Sequence, residues 1–524
     1  MKKINLTITT ISLFLIMSNA SVKSQVITSA QIDSLVEKTL KTFDVPGIAV
    51  AIVKDGKVIH SKGYGVRNLN TKEKVDENTL FGIASNSKAY TAAALGMLVD
   101  EKKIKWDDKV TDYIPEFQMS DPYVTKEFTI RDLLSHRCGL GLGAGDLMMW
   151  PDSNKNTKAD IIHGLRYLKP VSSFRTQFDY DNNMFIVAGE VIARVSGMSW
   201  EDFIEKRIMQ PLGMEKSAAS KSRLKDKSNV TVPHAPADGK LQVIDIDWSE
   251  TADAAGGIYS NLTDMCKWIT LQMNNGKYGN DLSKQLFSEE AHTEMWSEQT
   301  IIPVRTPGPY NTHFSGYGLG WFLSDVKGYK QVTHTGGLAG IVTQVTLIPE
   351  MKLGIIVLTN QQVGAAFNTI TNTIKDSYLG MPKTDRLKEY SERWIKGNER
   401  AKKITDDVWK VVADQQKNPT TKIVDSLFTG TYNDKWFGDV VISSKNGKVW
   451  FESKKSTRLK GEIFYYKANT FVVKFNNRAM DGDAFLEFDV DKNGKATGFK
   501  MEAISPSTDF SFDYQDLDFN RGGK

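Results

Sequence analysis

The stretch Phe81-Gly82-Ile83-Ala84-Ser85-Asn86-Ser87-Lys88-Ala89-Tyr90 runs directly into an apolar, alanine-rich segment that continues to Val99. The spacing places a serine at the threshold of a helix and a lysine one turn later on the same face, so hydroxyl and amine can meet. A serine hydroxyl is a poor nucleophile until a base takes its proton, and a lysine in a desolvated cleft can lose its charge and assist. The start of the helix also offers backbone N–H groups to a developing oxyanion. By itself Ser-x-x-Lys is weak. It recurs at residues 222–225 and 324–327, which read as ordinary surface.

Working outward, Thr28-x-x-Gln31 forms a capping box, and Ile32, Leu35, Val36, Leu40 and Phe43 recur at helical spacing until Pro46-Gly47 stops them. Residues 48–53 and 58–64 flank the turn dipeptide Asp55-Gly56 and predict a hairpin. Helices follow at 129–134, 185–195, 199–208 and 263–273, and strand character returns at 342–348 and 353–358. Strands bracketing a helical insertion define an α+β layout in which the two ends of this region build one antiparallel sheet. Residues 385–423 are rich in Lys, Glu and Asp and read as a solvated helical linker. From 424 to 524, short strand-length runs alternate with Asn446-Gly447, Asp481-Gly482 and Asn493-Gly494, the texture of a small all-β barrel. The organisation expected is thus a targeting segment at 1–24, a catalytic domain at 25–384, the linker, and the barrel.

Composition narrows the function. The 524 residues are 40% hydrophobic and 25% charged with a net charge of +4, which fits a folded globular chain and gives no basic surface for nucleic acid. Lys2 and Lys3 precede an apolar run from Ile4 to Met17, too short to span a bilayer but suited to an export signal, with small residues nearby for cleavage. The expected mature chain is periplasmic or secreted, with no stable membrane insertion. Its only cysteines, Cys138 and Cys266, are expected to be buried and unpaired. The histidines show no zinc spacing, so neither metal nor cofactor is expected. The sequence Asp489-x-Asp491-x-Asn493-Gly494 opens like a calcium loop but has Lys500 at the twelfth position, so a hairpin turn explains it better. Lys445, Lys448, Lys454, Lys455, Arg458 and Lys460 read as a solvated basic face.

Two further pieces supply context for Ser85 and Lys88. Tyr180 and Asn182, in Phe178-Asp179-Tyr180-Asp181-Asn182-Asn183, can present a phenol and an amide to a shared cleft. His334-Thr335-Gly336-Gly337 offers polar side chains and a glycine whose missing Cβ lets substrate approach the backbone.

Ser-x-Ser-Lys, then Tyr-x-Asn, then His-Thr-Gly on an edge strand resemble, in that order, the serine β-lactamase and penicillin-binding-protein superfamily, nearest its class C type. Leu133-Leu134-Ser135-His136, Gly145-Asp146, Gln210-Pro211-Leu212-Gly213, Ala254-Ala255-Gly256-Gly257 and Tyr317-Gly318-Leu319-Gly320-Trp321 agree with it. The resemblance covers about residues 28–380, and the tail is similar to the lipocalin-like barrel of such hydrolases. It implies a β-lactamase/transpeptidase-like fold, an antiparallel sheet flanked by helices plus an all-α lobe. It also implies Ser85 as the acylated nucleophile, Lys88 and Tyr180 as the groups that move its proton, and Asn182 as the orienter of Lys88 and the substrate amide. The amides of Ser85 and Gly337 would form the oxyanion hole, and His334, Thr335, Gly336 and Gly337 would line the substrate site.

Typical members carry Lys-Thr-Gly at the third motif, where this chain has His334. A neutral imidazole gives one hydrogen bond instead of a full charge, so carboxylate affinity is expected to drop. That shifts weight from β-lactam hydrolysis and D-Ala-D-Ala carboxypeptidase activity toward a peptidase, amidase or esterase acting on a small-molecule or peptide substrate. A non-catalytic binding protein or sensor on the same fold is the rival from another class. Oligomeric state is left open. N-terminal sequencing of the protein recovered from the cell exterior or periplasm is expected to begin between Ser21 and Gln25; a chain still beginning at Met1 would contradict export with cleavage.

Overall fold

The computed structural model describes residues 26–245, 248–419 and 424–522; the expected targeting segment and its expected cleavage region lie outside them. Helix α1 (Ser29–Thr42) carries the capping box at Thr28, and β1 (Gly47–Lys54) and β2 (Lys57–Gly65) form the hairpin. The insertion supplies α2 (Lys88–Asp100), α3 (Asn183–Ser196) and α4 (Leu262–Met273). The chain then returns through β3 (Thr300–Ile301), β4 (Ser315–Tyr317), β5 (Phe322–Val326), β6 (Tyr329–Leu338), β7 (Ile341–Ile348) and β8 (Leu353–Thr359). These eight strands make one antiparallel sheet in the order β2-β1-β8-β7-β6-β5-β4-β3.

The sheet is covered on both faces, which explains why β1 and β8 are continuous apolar runs. Ile48, Val50 and Ile52 point toward Ile32 and Val36 of α1, Phe43 just after it, and Ile370 and Ile374 of α5 (Gly364–Tyr378). Ala49, Ala51 and Val53 point the other way, into a core shared with α2 and α4. There Tyr90 stacks on Trp268 at 3.8 Å between centroids. Helix α2 is buried on every side from Lys88 to Leu98, so it runs through the core between sheet and helical lobe.

Helix α6 (Arg386–Lys417), about 48 Å long at 1.5 Å per residue, occupies most of the expected linker. It does more than connect. Arg386 pairs with Asp376 at 2.7 Å, and Val408 and Val412 pack on Val472 and Ile504 of the barrel. The barrel is closed by eight antiparallel strands: β9 (Gly430–Asp434), β10 (Gly438–Lys445), β11 (Lys448–Ser453), β12 (Lys460–Lys467), β13 (Thr470–Phe475), β14 (Ala484–Val490), β15 (Ala496–Ala503) and β16 (Phe519–Arg521). Its interior is filled by rings; Phe499 stacks on Phe519 at 4.5 Å and meets Tyr432, Phe451 and Phe488 edge-on or tilted. The Asp491 side chain accepts from the amides of Asn493 and Lys495, closing the hairpin turn that resembled a calcium loop.

The basic stretch departs from expectation. Lys455 reaches Asn156 at 2.6 Å and Asp160 at 3.2 Å, and Arg458 pairs with Asp152 at 2.8 Å, so part of it is the seam between barrel and helical lobe. Both cysteines are buried and free. Among the described residues no helix is long and apolar enough to cross a membrane. Phe499→Ala is expected to cost about 3–5 kcal/mol, because it empties the ring cluster at the barrel centre. A clearly lower unfolding midpoint checks this, and an unchanged midpoint contradicts it.

Candidate active site

Ser85 is the one residue between Phe81 and Tyr90 that is not buried. It lies in a tight 3₁₀ turn, Ala84–Ser87, that opens directly into α2. Ala84 adopts a left-handed backbone, φ +50°, a conformation costing a non-glycine residue roughly 1–2 kcal/mol. Its surroundings hold it there. Ile83 O accepts from Thr343 Oγ1 at 2.9 Å, Asn86 donates to the same threonine at 2.9 Å, and Ala84 packs on Leu338 and Ile341. The turn is thereby fixed to β6 and β7, with the Ser85 amide at the helix start, where backbone N–H groups lack intrahelical acceptors.

Lys88 is fully buried, and its Nζ donates to Ser85 Oγ at 3.0 Å, Asn182 Oδ1 at 2.7 Å and Ala255 O at 2.9 Å. Three acceptors match the three protons of an ammonium; an amine would keep two donors and free its lone pair toward Ser85. Burial pushes the Lys88 ammonium down to about 7, against the opposing pull of Asp146 and Asp181. Tyr180 lines the same cavity as Ser85, and its ring lies 4.9 Å from Lys88 Nζ. Burial drives its phenol well above the usual range, so it stays protonated. Two loops stitched together place it. Gly143 N donates to Tyr180 O at 2.8 Å, Asp181 N donates to His136 Nδ1 at 3.1 Å, and the His136 ring sits 4.2 Å from the Tyr180 ring. Asn182 precedes the first turn of α3 and also donates through Nδ2 to Asp146 Oδ2 at 2.8 Å.

Ser85, Lys88, Tyr180 and Asn182 therefore meet, but the third motif differs from expectation. Strand β6 is interior to the sheet, between β5 and β7. Pairing with β5 stops at Thr333, so His334–Leu338 presents a free edge to the cleft only because β5 is short. His334 is buried at 1% exposure instead of facing substrate. Thr335 O accepts from its Nδ1 at 2.6 Å, and its Nε2 accepts from Tyr317 O–H at 2.9 Å, so both ring nitrogens are occupied. Burial and the nearby Lys88 push the imidazole down to about 3, keeping it neutral. Alternation along the strand turns Thr335 and Gly337 outward and buries Gly336. A Cβ on Gly336 would stand 2.2 Å from Ile83 O, whereas one on Gly337 would meet nothing. Gly336 thus serves packing, and Gly337 is the open position.

The cleft holds a cavity of about 300 Å³ with Ser85, Tyr180, Asn182, Thr335 and Gly337 on one wall. Aromatic and apolar side chains, Trp150, Phe178, Trp248, Phe322 and Phe510 with Met149, make up most of the rest. Among the described residues its lining contains no Lys or Arg, and Asp509 is its one acidic group. Sequence reading missed Asp509, Phe510 and Ser511, which come from the barrel and carry no local signal. It noted Gly145-Asp146 only as a flank, although Asp146 contacts Asn182 directly.

A hydroxyl, an amine and a phenol converging between a sheet and a helical lobe is the layout of the β-lactamase/transpeptidase class. The chain belongs to the Beta-lactamase family, whose profile matches residues 32–379. A second profile, a domain of unknown function, DUF3471, matches residues 414–521. The chain is 30% identical over 373 residues to unguisins hydrolase ungD of Aspergillus violaceofuscus, covering 67% of this chain and 65% of that protein. It is 27% identical over 333 residues to Protein flp of Staphylococcus aureus, covering 63% and 62%. It thus spans just under two thirds of the length of these curated relatives. The octameric penicillin-binding protein homologue of Pyrococcus abyssi has a similar fold, with a TM-score of 0.61 at 21% identity over 94% of this chain and all of that one.

Gly336→Ala is expected to cost about 2–4 kcal/mol, because the new methyl displaces the turn carrying Ser85. Gly337→Ala should leave stability within about 1 kcal/mol, since its side faces open space. Thermal unfolding of the pair checks this; equal losses would contradict the assignment.

Proposed function

We propose that the protein is an exported serine hydrolase that forms an acyl-enzyme at Ser85 and transfers it to water, acting on uncharged amide, peptide or ester donors. What carries this reading is the buried Lys88 amine, 3.0 Å from Ser85 Oγ and lowered to about 7, within reach of operating pH. Neutral Lys88 accepts the Ser85 proton as Oγ bonds to the substrate carbonyl carbon. The amides of Ser85 and Gly337 receive the developing oxyanion. As the bond from the carbonyl carbon to the leaving group breaks, Tyr180 gives its phenol proton to that group and takes up the proton held by Lys88, while Asn182 holds Lys88 in line. Water then attacks the ester, releasing the acid and returning the proton to Ser85. The name of one relative, unguisins hydrolase, agrees with hydrolysis as the reaction.

The donor class follows from the lining. A substrate carboxylate would find no cation in the cavity and would meet Asp509, while the neutral His334 has no nitrogen to offer. Carboxylate-bearing β-lactams and terminal D-alanine are therefore disfavoured against aromatic or apolar esters, D-amino-acid amides and peptides. The run from Lys2 to Ala20 supports export.

The pH dependence has a definite sign. Lys88 must be neutral to accept a proton, so kcat/KM rises with pH through about 7 and levels above it. Ser85→Ala should lose at least about a thousandfold in turnover of a p-nitrophenyl ester while remaining folded. A panel of nitrocefin, D-alanyl peptides, D-amino-acid amides and short esters fixes the donor. Preference for nitrocefin by orders of magnitude would overturn the substrate argument, and stoichiometric labelling without turnover would favour the sensor.

A further inference from the structure

Between β15 and β16 the chain leaves the barrel and lays residues 509–513 along the cleft, where Asp509, Phe510 and Ser511 line the same cavity as Ser85. This strap is built in at several points. Gly145 N donates to Asp513 Oδ2 at 2.5 Å, and Gln362 donates to Asp509 at 3.1 Å. Tyr514 O–H ties the strap back to Gly482 O at 2.6 Å. Phe510 lies over Gly143, φ +71°, where a Cβ would stand 2.8 Å from the Phe510 carbonyl oxygen.

One side chain of the strap reaches past the cavity to the catalytic network. Ser511 is buried, and its Oγ donates to Asp146 Oδ2 at 2.8 Å. The same oxygen receives Asn182 Nδ2 at 2.8 Å, while Asn182 Oδ1 accepts from Lys88 Nζ at 2.7 Å. An amide has one accepting and one donating end, so an acceptor at Asp146 forces the carbonyl end of Asn182 toward Lys88. We propose that Ser511 is a positioning residue supplied by the barrel, which holds Asp146 so that Asn182, and through it Lys88, is correctly oriented for proton transfer with Ser85. This rests on the acyl-enzyme reading above.

The electrostatics give the inference a signature. Asp146 is faced by Lys88, Tyr180, Asp181 and Asp513, the last backed by Asp516, while His136 and His334 face Lys88. Burial raises the Asp146 carboxyl, and donation by Ser511 and Asn182 opposes that. Without the Ser511 hydroxyl, Asp146 keeps its proton to higher pH. A neutral Asp146 supports the Lys88 charge less, so Lys88 loses its proton at lower pH.

The test uses the full chain with a p-nitrophenyl ester, comparing wild type, Ser511→Ala, Asp146→Asn, the double variant and Ser85→Ala. Ser511→Ala is expected to lower kcat about tenfold with KM within about twofold, and to move the acid limb of kcat/KM to lower pH. In the Asp146→Asn background the same change should add little, because both act on one network. A simple packing defect would neither move the limb nor vanish in that background. Unchanged kcat and limb in Ser511→Ala, a loss confined to KM, or full additivity would overturn the proposal. If Ser85→Ala keeps its turnover, the acyl-enzyme reading falls; if it is inactive and Ser511→Ala behaves as wild type, only the present inference falls.

Discussion

The chemistry depends on keeping the Lys88 side chain out of water with three acceptors around its nitrogen. A lysine in that position is tolerated only because Ser85, Asn182 and Ala255 satisfy it and Asp146 and Asp181 oppose its loss of charge. The rest of the fold serves that arrangement. The all-round burial of α2 removes solvent, the turn locked to β6 and β7 presents Ser85, and the start of α3 delivers Asn182. Desolvation lowers the amine far enough to act as a base, yet raises the phenol of Tyr180 out of that role. In the proposed mechanism the same burial gives the two groups different tasks, base for Lys88 and proton carrier for Tyr180.

The barrel is part of the same construction. Its aromatic interior is a packed core, and its contacts with the helical lobe run through Lys455 and Arg458 at one seam and the 509–513 strap at another. Helix α6 packs Leu387, Tyr390 and Trp394 near its start on the core that contains α1 and α5, and Val408, Trp409 and Val412 further along on the barrel. Together these contacts place residues 509–511 beside Ser85, more than 400 positions earlier.

Much of this was legible in the sequence because it is local or periodic. The capping box at Thr28, the Asp55-Gly56 hairpin and the alternating runs of the barrel carry their structure in adjacent residues. The ordered set Ser85-x-x-Lys88, Tyr180-x-Asn182 and His334-Thr335-Gly336 carried the family. What failed was direction. His334 looked like a substrate contact because of its neighbours in the motif, but strand alternation turns it inward to Tyr317, and the free edge of β6 arises only from the length of β5. Gly336 and Gly337 are alike in sequence; packing against Ile83 distinguishes them. Ser511 and Asp146 lie 365 positions apart, and no periodicity links them.

The account comes down to the charge state of one amine. Nuclear magnetic resonance titration of the full-length protein, with lysine Cε labelled and Lys88 assigned by its loss in Lys88→Arg, measures that state without substrate. A Lys88 resonance titrating near 7 is the predicted result. A Lys88 resonance that titrates near the reference value of a free lysine, above 10, would contradict the assignment of Lys88 as the base.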